Sequence, residues 1–159
     1  MTNKSEVRTK AKIVRENLLN KPIKNKFIFN ALFNLLDKIE YSTVFVYLSF
    51  GAEVDTFAIV DKLFKLGKTV CVPIIVDGKM KSVKIDKNTE FVINDYGIKE
   101  PILEEELLPD LAVVPMVAFN EDCYRERHKR AGTPRVFFLR LPLQDAQSIE
   151  TAGALPRIL

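Results

Sequence analysis

Apolar positions along the chain keep two rhythms, and the alternation between them predicts the fold. Val7, Ala11, Val14 and Leu18 lie at spacings of four, three and four, which is one face of a helix. Asn3, with Glu6 three residues on, forms a capping-box pair at its start. A second helix starts near Pro22, a residue suited to a first turn, and its stripe is Ile28, Leu32, Leu35 and Ile39, with Phe27 and Phe33 adding bulk. Residues 43–48 (TVFVYL) are β-branched and aromatic and predict a buried strand. Asp55 or Thr56 then caps a helix over 57–66 whose apolar face is Ile59, Val60, Leu63 and Leu66. Gly67 stands at its C-terminal cap.

Shorter patterns come next. Residues 69–73 (TVCVP) predict a strand, Asp77-Gly78 a tight turn, and 80–85 an antiparallel return strand. Residues 91–93 make a further short piece. The stretch 97–101 reads as irregular, because Pro101 biases Glu100 away from helix. Glu104, Glu105 and Glu106 form an exposed acidic run. Leu111, Ala112, Val113 and Val114 then form a short continuous apolar run, a buried strand ending near Pro115. Residues 136–143 (VFFLRLPL) sit between Pro134 and Pro142, which predicts an edge strand or no pairing, and 144–159 show no period and are expected to be loosely held. Strand, helix and strand in alternation predict an α/β fold: three layers, a mixed and mostly parallel sheet with helices on both faces.

In such sheets ligands bind beyond the carboxyl ends of the strands. That rule selects residues 116–125 and the loop after residue 48 as places for a site. Glu53 in that loop has two readings. It either caps the following helix through the dipole or presents a carboxylate to a substrate nitrogen. Lys4, Arg8 and Lys12 share a second face of the first helix, as solvated charge or as a phosphate-facing edge.

Composition narrows the classes. At 159 residues the chain is one domain, and its +3 net charge, spread along the sequence, gives little support to nucleic-acid or membrane binding. Cys71 and Cys123 show no metal or CxxC spacing and suit a reducing compartment. One histidine leaves a Ser-His-Asp triad or a His-rich metal site little to draw on. Residues 1–20 hold no apolar run of the secretory kind, and no stretch approaches the roughly 18 apolar residues of a membrane span, so a cytoplasmic protein is expected.

Several pieces in order carry a resemblance. Lys4-x-x-x-Arg8 opens the chain; Tyr47-Leu48-Ser49 and Glu53-Val54-Asp55-Thr56 lead into a helix; Pro73 ends a strand. Gly97-Ile98-Lys99-Glu100-Pro101 precedes Asp110-Leu111-Ala112-Val113-Val114-Pro115, then Ala118-Phe119-Asn120 and Tyr124-Arg125. In this order residues 1–125 resemble the 5-formyltetrahydrofolate cyclo-ligase (methenyltetrahydrofolate synthetase) family. The resemblance implies a monomeric enzyme of folate and one-carbon metabolism, converting 5-formyltetrahydrofolate to 5,10-methenyltetrahydrofolate with ATP and releasing ADP and phosphate. It implies ATP phosphate contacts from Lys4, Arg8 and Arg125, folate contacts from Arg8, Leu48 and Glu53, and Mg2+ bridging the phosphates.

The sequence departs from the family after Arg125. There the family carries a glycine-rich loop, RxGxGxGYYDR, whose backbone N–H groups wrap a phosphate. This chain reads Glu126-Arg127-His128-Lys129-Arg130-Ala131-Gly132, with a single glycine. Composition turns at the same point: residues 1–124 hold 15 Lys, 2 Arg and 9 Asn, whereas 125–159 hold 1 Lys, 6 Arg and no Asn. Residues 1–125 are therefore expected to form the α/β domain. Residues 126–159 are expected to be a tail that is either divergent or the product of another reading frame, and the ligase to be weak or inactive. Two alternatives stay open: a folate-binding remnant without phosphoryl transfer, and a different α/β enzyme acting on sugar phosphates or CoA esters.

Overall fold

The computed structural model describes residues 4–102, 105–115 and 135–139. Asn3, Glu104, Arg125 and the segments 116–134 and 140–159 lie outside the described residues. Two helices open the chain, α1 (Lys4–Glu16) and α2 (Lys21–Leu36). They are followed by β1 (Thr43–Val46), α3 (Phe57–Lys65), β2 (Thr69–Val76) and β3 (Lys79–Ile85). Next come β4 (Phe91–Ile93), β5 (Lys99–Pro101), β6 (Leu111–Pro115) and β7 (Arg135–Leu139).

The main sheet has the order β3-β2-β1-β6-β7, with β2, β1, β6 and β7 parallel and β3 antiparallel at one edge. This is the mixed, mostly parallel sheet with helices that the alternating rhythms predict. Its middle strand is β1, with β6 beside it. From β1 the chain builds outward through β2 and β3, then crosses to the other side of β1 with β6. The crevice at the carboxyl ends of β1 and β6 is thus a topological switch point.

Val44, Val46, Val70, Val72, Val83, Leu111 and Val113 share one buried core with Ile59, Val60 and Leu63 of α3 and Leu32, Phe33 and Leu36 of α2. At the sheet's other end one carboxylate fixes the register. Asp110 Oδ2 accepts the Ser42 and Thr43 N–H groups, both at 2.9 Å, and the Asp110 N–H donates back to the Thr43 carbonyl. Those two donors hold the Asp110 carboxyl below the usual carboxylate range.

Several boundaries and faces differ from expectation. On α1, Val14 is exposed while Ala11, Arg15 and Leu18 turn partly inward, with the Arg15 Nε buried. An arginine can do this by burying its aliphatic stem along apolar surface. On α2 the fully buried positions are Leu32, Phe33 and Leu36; of the expected stripe, Leu32 is buried, Ile28 and Ile39 are partly buried against the core and Leu35 is half-buried, while Phe27 is exposed. Phe29 and Phe33, one turn apart, pack with ring centroids at 4.7 Å. α3 ends at Lys65, and Leu66 is largely exposed as its C-terminal cap. β1 ends at Val46, two residues short of the apolar run. β2 runs on past Pro73 to Val76. Its ladder with β1 stops at Cys71, so beyond that point one side tolerates a residue without an N–H.

Residues 99–101, expected to be irregular, form β5 and pair antiparallel with β4. The extended bias that Pro101 places on Glu100 suits a strand as well as a loop. Of the acidic run, Glu105 and Glu106 are exposed, as expected, yet their segment is also bound in place. The Lys84 N–H donates to the Glu105 carbonyl and the Leu107 N–H to the Ser82 carbonyl, so the segment covers the free edge of β3. Of the 136–143 stretch, residues 136–139 are described and pair as expected for an edge strand: β7 lies parallel to β6 at the edge of the described sheet, and 140–143 lie outside the described residues.

Candidate active site at the carboxyl end of the middle strand

Past Val46 the chain loses its ladder and enters the loop 49–56, which a ring of hydrogen bonds closes. The Ser49 N–H donates to Thr56 Oγ1 at 2.9 Å and the Thr56 N–H to Ser49 Oγ at 3.2 Å. Thr56 is fully buried, and this reciprocal pair satisfies it. The Tyr47 hydroxyl donates to the Val54 carbonyl at 3.4 Å. From α2, Lys21 Nζ donates to the Gly51 carbonyl, and Asn25 Oδ1 accepts the Asp55 N–H. Gly51 has φ +59°, the left-handed conformation that glycine adopts cheaply.

Within this loop Glu53 is half-buried, and Leu48, which leads into it, is buried. Glu53 Oε2 accepts the Phe50 N–H at 3.0 Å, and the Glu53 N–H donates to the Phe50 carbonyl. The carboxylate therefore caps its own turn. The start of α3 is served instead by Asp55 Oδ1, which accepts the Phe57 N–H at 3.0 Å. Glu53 Oε1 has no hydrogen bond among the described residues. The field of Glu53 reaches Tyr47: burial first, and then the Glu53 carboxylate, push the Tyr47 phenol well above its usual range, with Arg15 opposing. Tyr47 thus stays a neutral donor.

Leu48 lines a cavity of about 290 Å³ together with Phe57 and Val60 of α3, Ile85, Phe91 of β4 and Lys99 of β5. A larger cavity of about 640 Å³ lies between α2 and α3, bordered by Phe33 and Lys62, and holds none of the sequence-predicted site residues.

Leu48 leads into the switch-point loop and Glu53 lies within it; Leu48 lines the cavity of about 290 Å³, whereas Glu53 does not and faces its own turn. Lys4 opens α1, its side chain outside the description, and Arg8 is exposed on the same helix. Arg125 lies outside the described residues. Sequence reading gave no role to Tyr47, Lys21 and Asn25, which hold the loop. The spacing of Lys21 and Asn25 on one helix face was the available signal. Phe57, Phe91 and Lys99 were also missed, because three separate elements bring them together.

Residues 1–126 match the family model described as the 5-formyltetrahydrofolate cyclo-ligase family. The chain belongs to this family. It is 34% identical over 87 residues to the 5-formyltetrahydrofolate cyclo-ligase of Escherichia coli K12, a match covering 50% of this chain and 48% of that relative. The match thus spans about half the length of the relative. The 5-formyltetrahydrofolate cyclo-ligase of Haemophilus influenzae is 25% identical over 128 residues, covering 74% of this chain and 68% of the relative. Among solved structures, that of Aquifex aeolicus 5,10-methenyltetrahydrofolate synthetase aligns at a TM-score of 0.68 and 22% identity, over 89% of this chain and 83% of the other. That likeness supports the cyclo-ligase fold.

Proposed function

We propose that this cyclo-ligase family member binds 5-formyltetrahydrofolate at the loop after β1 and that its site is built for ATP-dependent closure to 5,10-methenyltetrahydrofolate. The observation that carries the reading is the placement of Leu48 and Glu53, the family-matched folate residues, at the switch-point loop, one leading into it and one within it. A formamide oxygen is a poor leaving group. Transfer of the γ-phosphoryl group from ATP to that oxygen, with ADP departing, gives an iminium phosphate. The second folate nitrogen attacks the activated carbon and gives up its N–H proton to the departing phosphate or water, the C–O bond breaks, and inorganic phosphate leaves as the ring closes.

Phosphoryl transfer needs positioning and charge neutralisation more than covalent help. Lys4 and Arg8 on α1 are assigned to the ATP phosphates, Arg8 to the folate also, and Arg125 to the start of the nucleotide loop. Glu53, with one carboxylate oxygen committed to its own turn and the other open, is assigned to a folate nitrogen near the formyl group. Among the described residues no three His, Cys, Asp or Glu side chains stand together to hold a metal. Magnesium, which the family resemblance implies, would offset charge on the nucleotide phosphates, and no step is derived through it. A monomer in the cytoplasm fits the two cysteines without disulfide or metal spacing and the closed set of loop contacts.

The second reading is folate binding with little turnover. The segment Glu126 to Gly132 favours it, because positive φ and close backbone approach to a phosphate are cheap for glycine and costly for arginine or lysine. Methenyltetrahydrofolate formation, followed by its absorbance with ATP and magnesium present, tests both. The chain as written is expected to bind 5-formyltetrahydrofolate and turn over slowly. A version with the family's glycine loop rebuilt after Arg125 should gain about a hundredfold or more, the scale of misplacement at a reacting centre. Failure of both versions to bind folate would overturn the assignment of the site.

A further inference from the structure

The cavity that starts at Leu48 has a direction. It runs along α3, whose residues Phe57 and Phe64 both line it, seven positions or about 10 Å apart. Its opposite wall is the two-stranded sheet, through Phe91 of β4 and Lys99 of β5. At about 290 Å³ it lies at the lower limit of ligand pockets, which suits one arm of a folate rather than the whole molecule.

The cations on its rim are uncommitted. Lys87 and Lys99 are exposed and form no ion pair among the described residues. The contrast is with Lys81 and Lys84 on β3, which pair with Glu106 and Glu105, both at 3.4 Å. Lys99 Nζ sits 5.2 Å from the centroid of the Phe57 ring, so this ammonium is already held over the aromatic wall. Two carboxylates share the rim, Asp61 and Asp86. Asp86 is engaged by its own turn, where Oδ1 accepts the Asn88 N–H at 2.7 Å and the Thr89 hydroxyl at 3.3 Å. Asp86 keeps its charge but is fixed by these bonds to its own turn, so the rim carries two carboxylates and two ammonium groups, and neither lysine has an ion-pair partner among the described residues.

A folate carries, beyond its pterin, an aryl ring and a glutamate with two ionised carboxylates. An aromatic-walled groove with free cations on its rim is complementary to that arm, and it begins at the residue assigned to the formyl end. We propose that the groove between α3 and the β4–β5 sheet receives the p-aminobenzoylglutamate arm, the aryl ring between Phe57 and Phe91, and that Lys87 and Lys99 select for the glutamate carboxylates. This rests on the folate reading of the Leu48–Glu53 loop.

Binding without ATP tests it. The full chain is titrated calorimetrically at low ionic strength with 5-formyltetrahydrofolate and with 5-formyltetrahydropteroate, which lacks the glutamate. The folate is expected to bind more tightly, each lysine contributing about two- to fivefold, as exposed ion pairs do. K87Q should lower the preference while leaving pteroate affinity unchanged, and adding K99Q, which also removes the cation over the Phe57 ring, should erase the rest of the preference. K81Q, the same charge change outside the groove, should preserve it. Equal affinity of the unaltered chain for both compounds, or a preference surviving in the double variant, would overturn the assignment of the groove. Binding of neither compound would overturn the folate reading itself and this inference with it.

Discussion

At the scale of single residues, the chemistry of this chain turns on how each carboxylate is used. Glu53 commits one oxygen to the Phe50 N–H and keeps the other open, while Asp55 serves the start of α3. Glu53→Gln preserves the turn acceptor and removes the charge. It is expected to weaken 5-formyltetrahydrofolate binding severalfold with little change in Tm, and a fall in Tm at unchanged affinity would return Glu53 to a purely structural role. Asp110 is the opposite case, fully committed to structure. Its folded pKa lies below its unfolded value, so its contribution is complete above the ordinary aspartate pKa near ~3.9 and is lost as pH falls through the folded value. The Tm difference between the natural chain and Asp110→Asn should therefore be largest near neutral pH and should shrink at about pH 3. A difference that stays constant with pH would remove the charge from the explanation. Cys71 is fully buried, and burial pushes its thiol up.

At the scale of elements, the strongest local signals are those whose partners lie close in sequence. Asp77 and Gly78 both take positive φ, 50° and 70°, as a two-residue hairpin requires, and β2 and β3 pair across it. Gly67, at φ +69°, closes α3: its N–H donates to the Phe64 carbonyl and the Lys68 N–H to the Leu63 carbonyl. Gly67→Ala should cost about 1 kcal/mol in chemical denaturation, since a left-handed residue pays roughly that for a Cβ. Faces were less legible than periods. On α2, Ile28, Leu32, Leu35, Phe33 and Leu36 offer two adjacent apolar lines, and only the sheet decides how deeply each is buried. Leu36→Ala, at a fully buried position, should cost about 2–5 kcal/mol, and an unchanged denaturation midpoint would contradict the observed burial.

At the scale of the whole molecule, the fold assembles a site from elements far apart in the chain. β1 lies between β2 and β6, so the loop 49–56 opens at the place where strand order reverses. The proposed nucleotide contacts begin on α1, at Lys4 and Arg8. With the family glycine loop rebuilt, Arg8→Ala should raise the KM for ATP about tenfold and leave folate affinity within about threefold, the loss of one charge-assisted contact. Steady-state kinetics against both substrates checks it, and an unchanged KM for ATP would return Arg8 to a solvated helix face.

The sequence by itself determined the alternation of strand and helix, the hairpin at Asp77-Gly78, the cap at Gly67 and the family, because each is written in residues close together or in a fixed order. It also marked Glu53, through the rule that ligands gather beyond strand ends, and Leu48, through the family resemblance. Only the tertiary structure decided that β1, and not β6, is the middle strand, that residues 99–101 pair with β4, and that Glu53 closes its own turn while Asp55 takes the helix. It alone placed Phe57, Phe91, Lys87 and Lys99 around the cavity that Leu48 opens. Periodicity reports which side of an element is apolar. Which neighbour covers that side, and which distant side chains then share a cavity, is set by packing between elements that the local pattern does not encode.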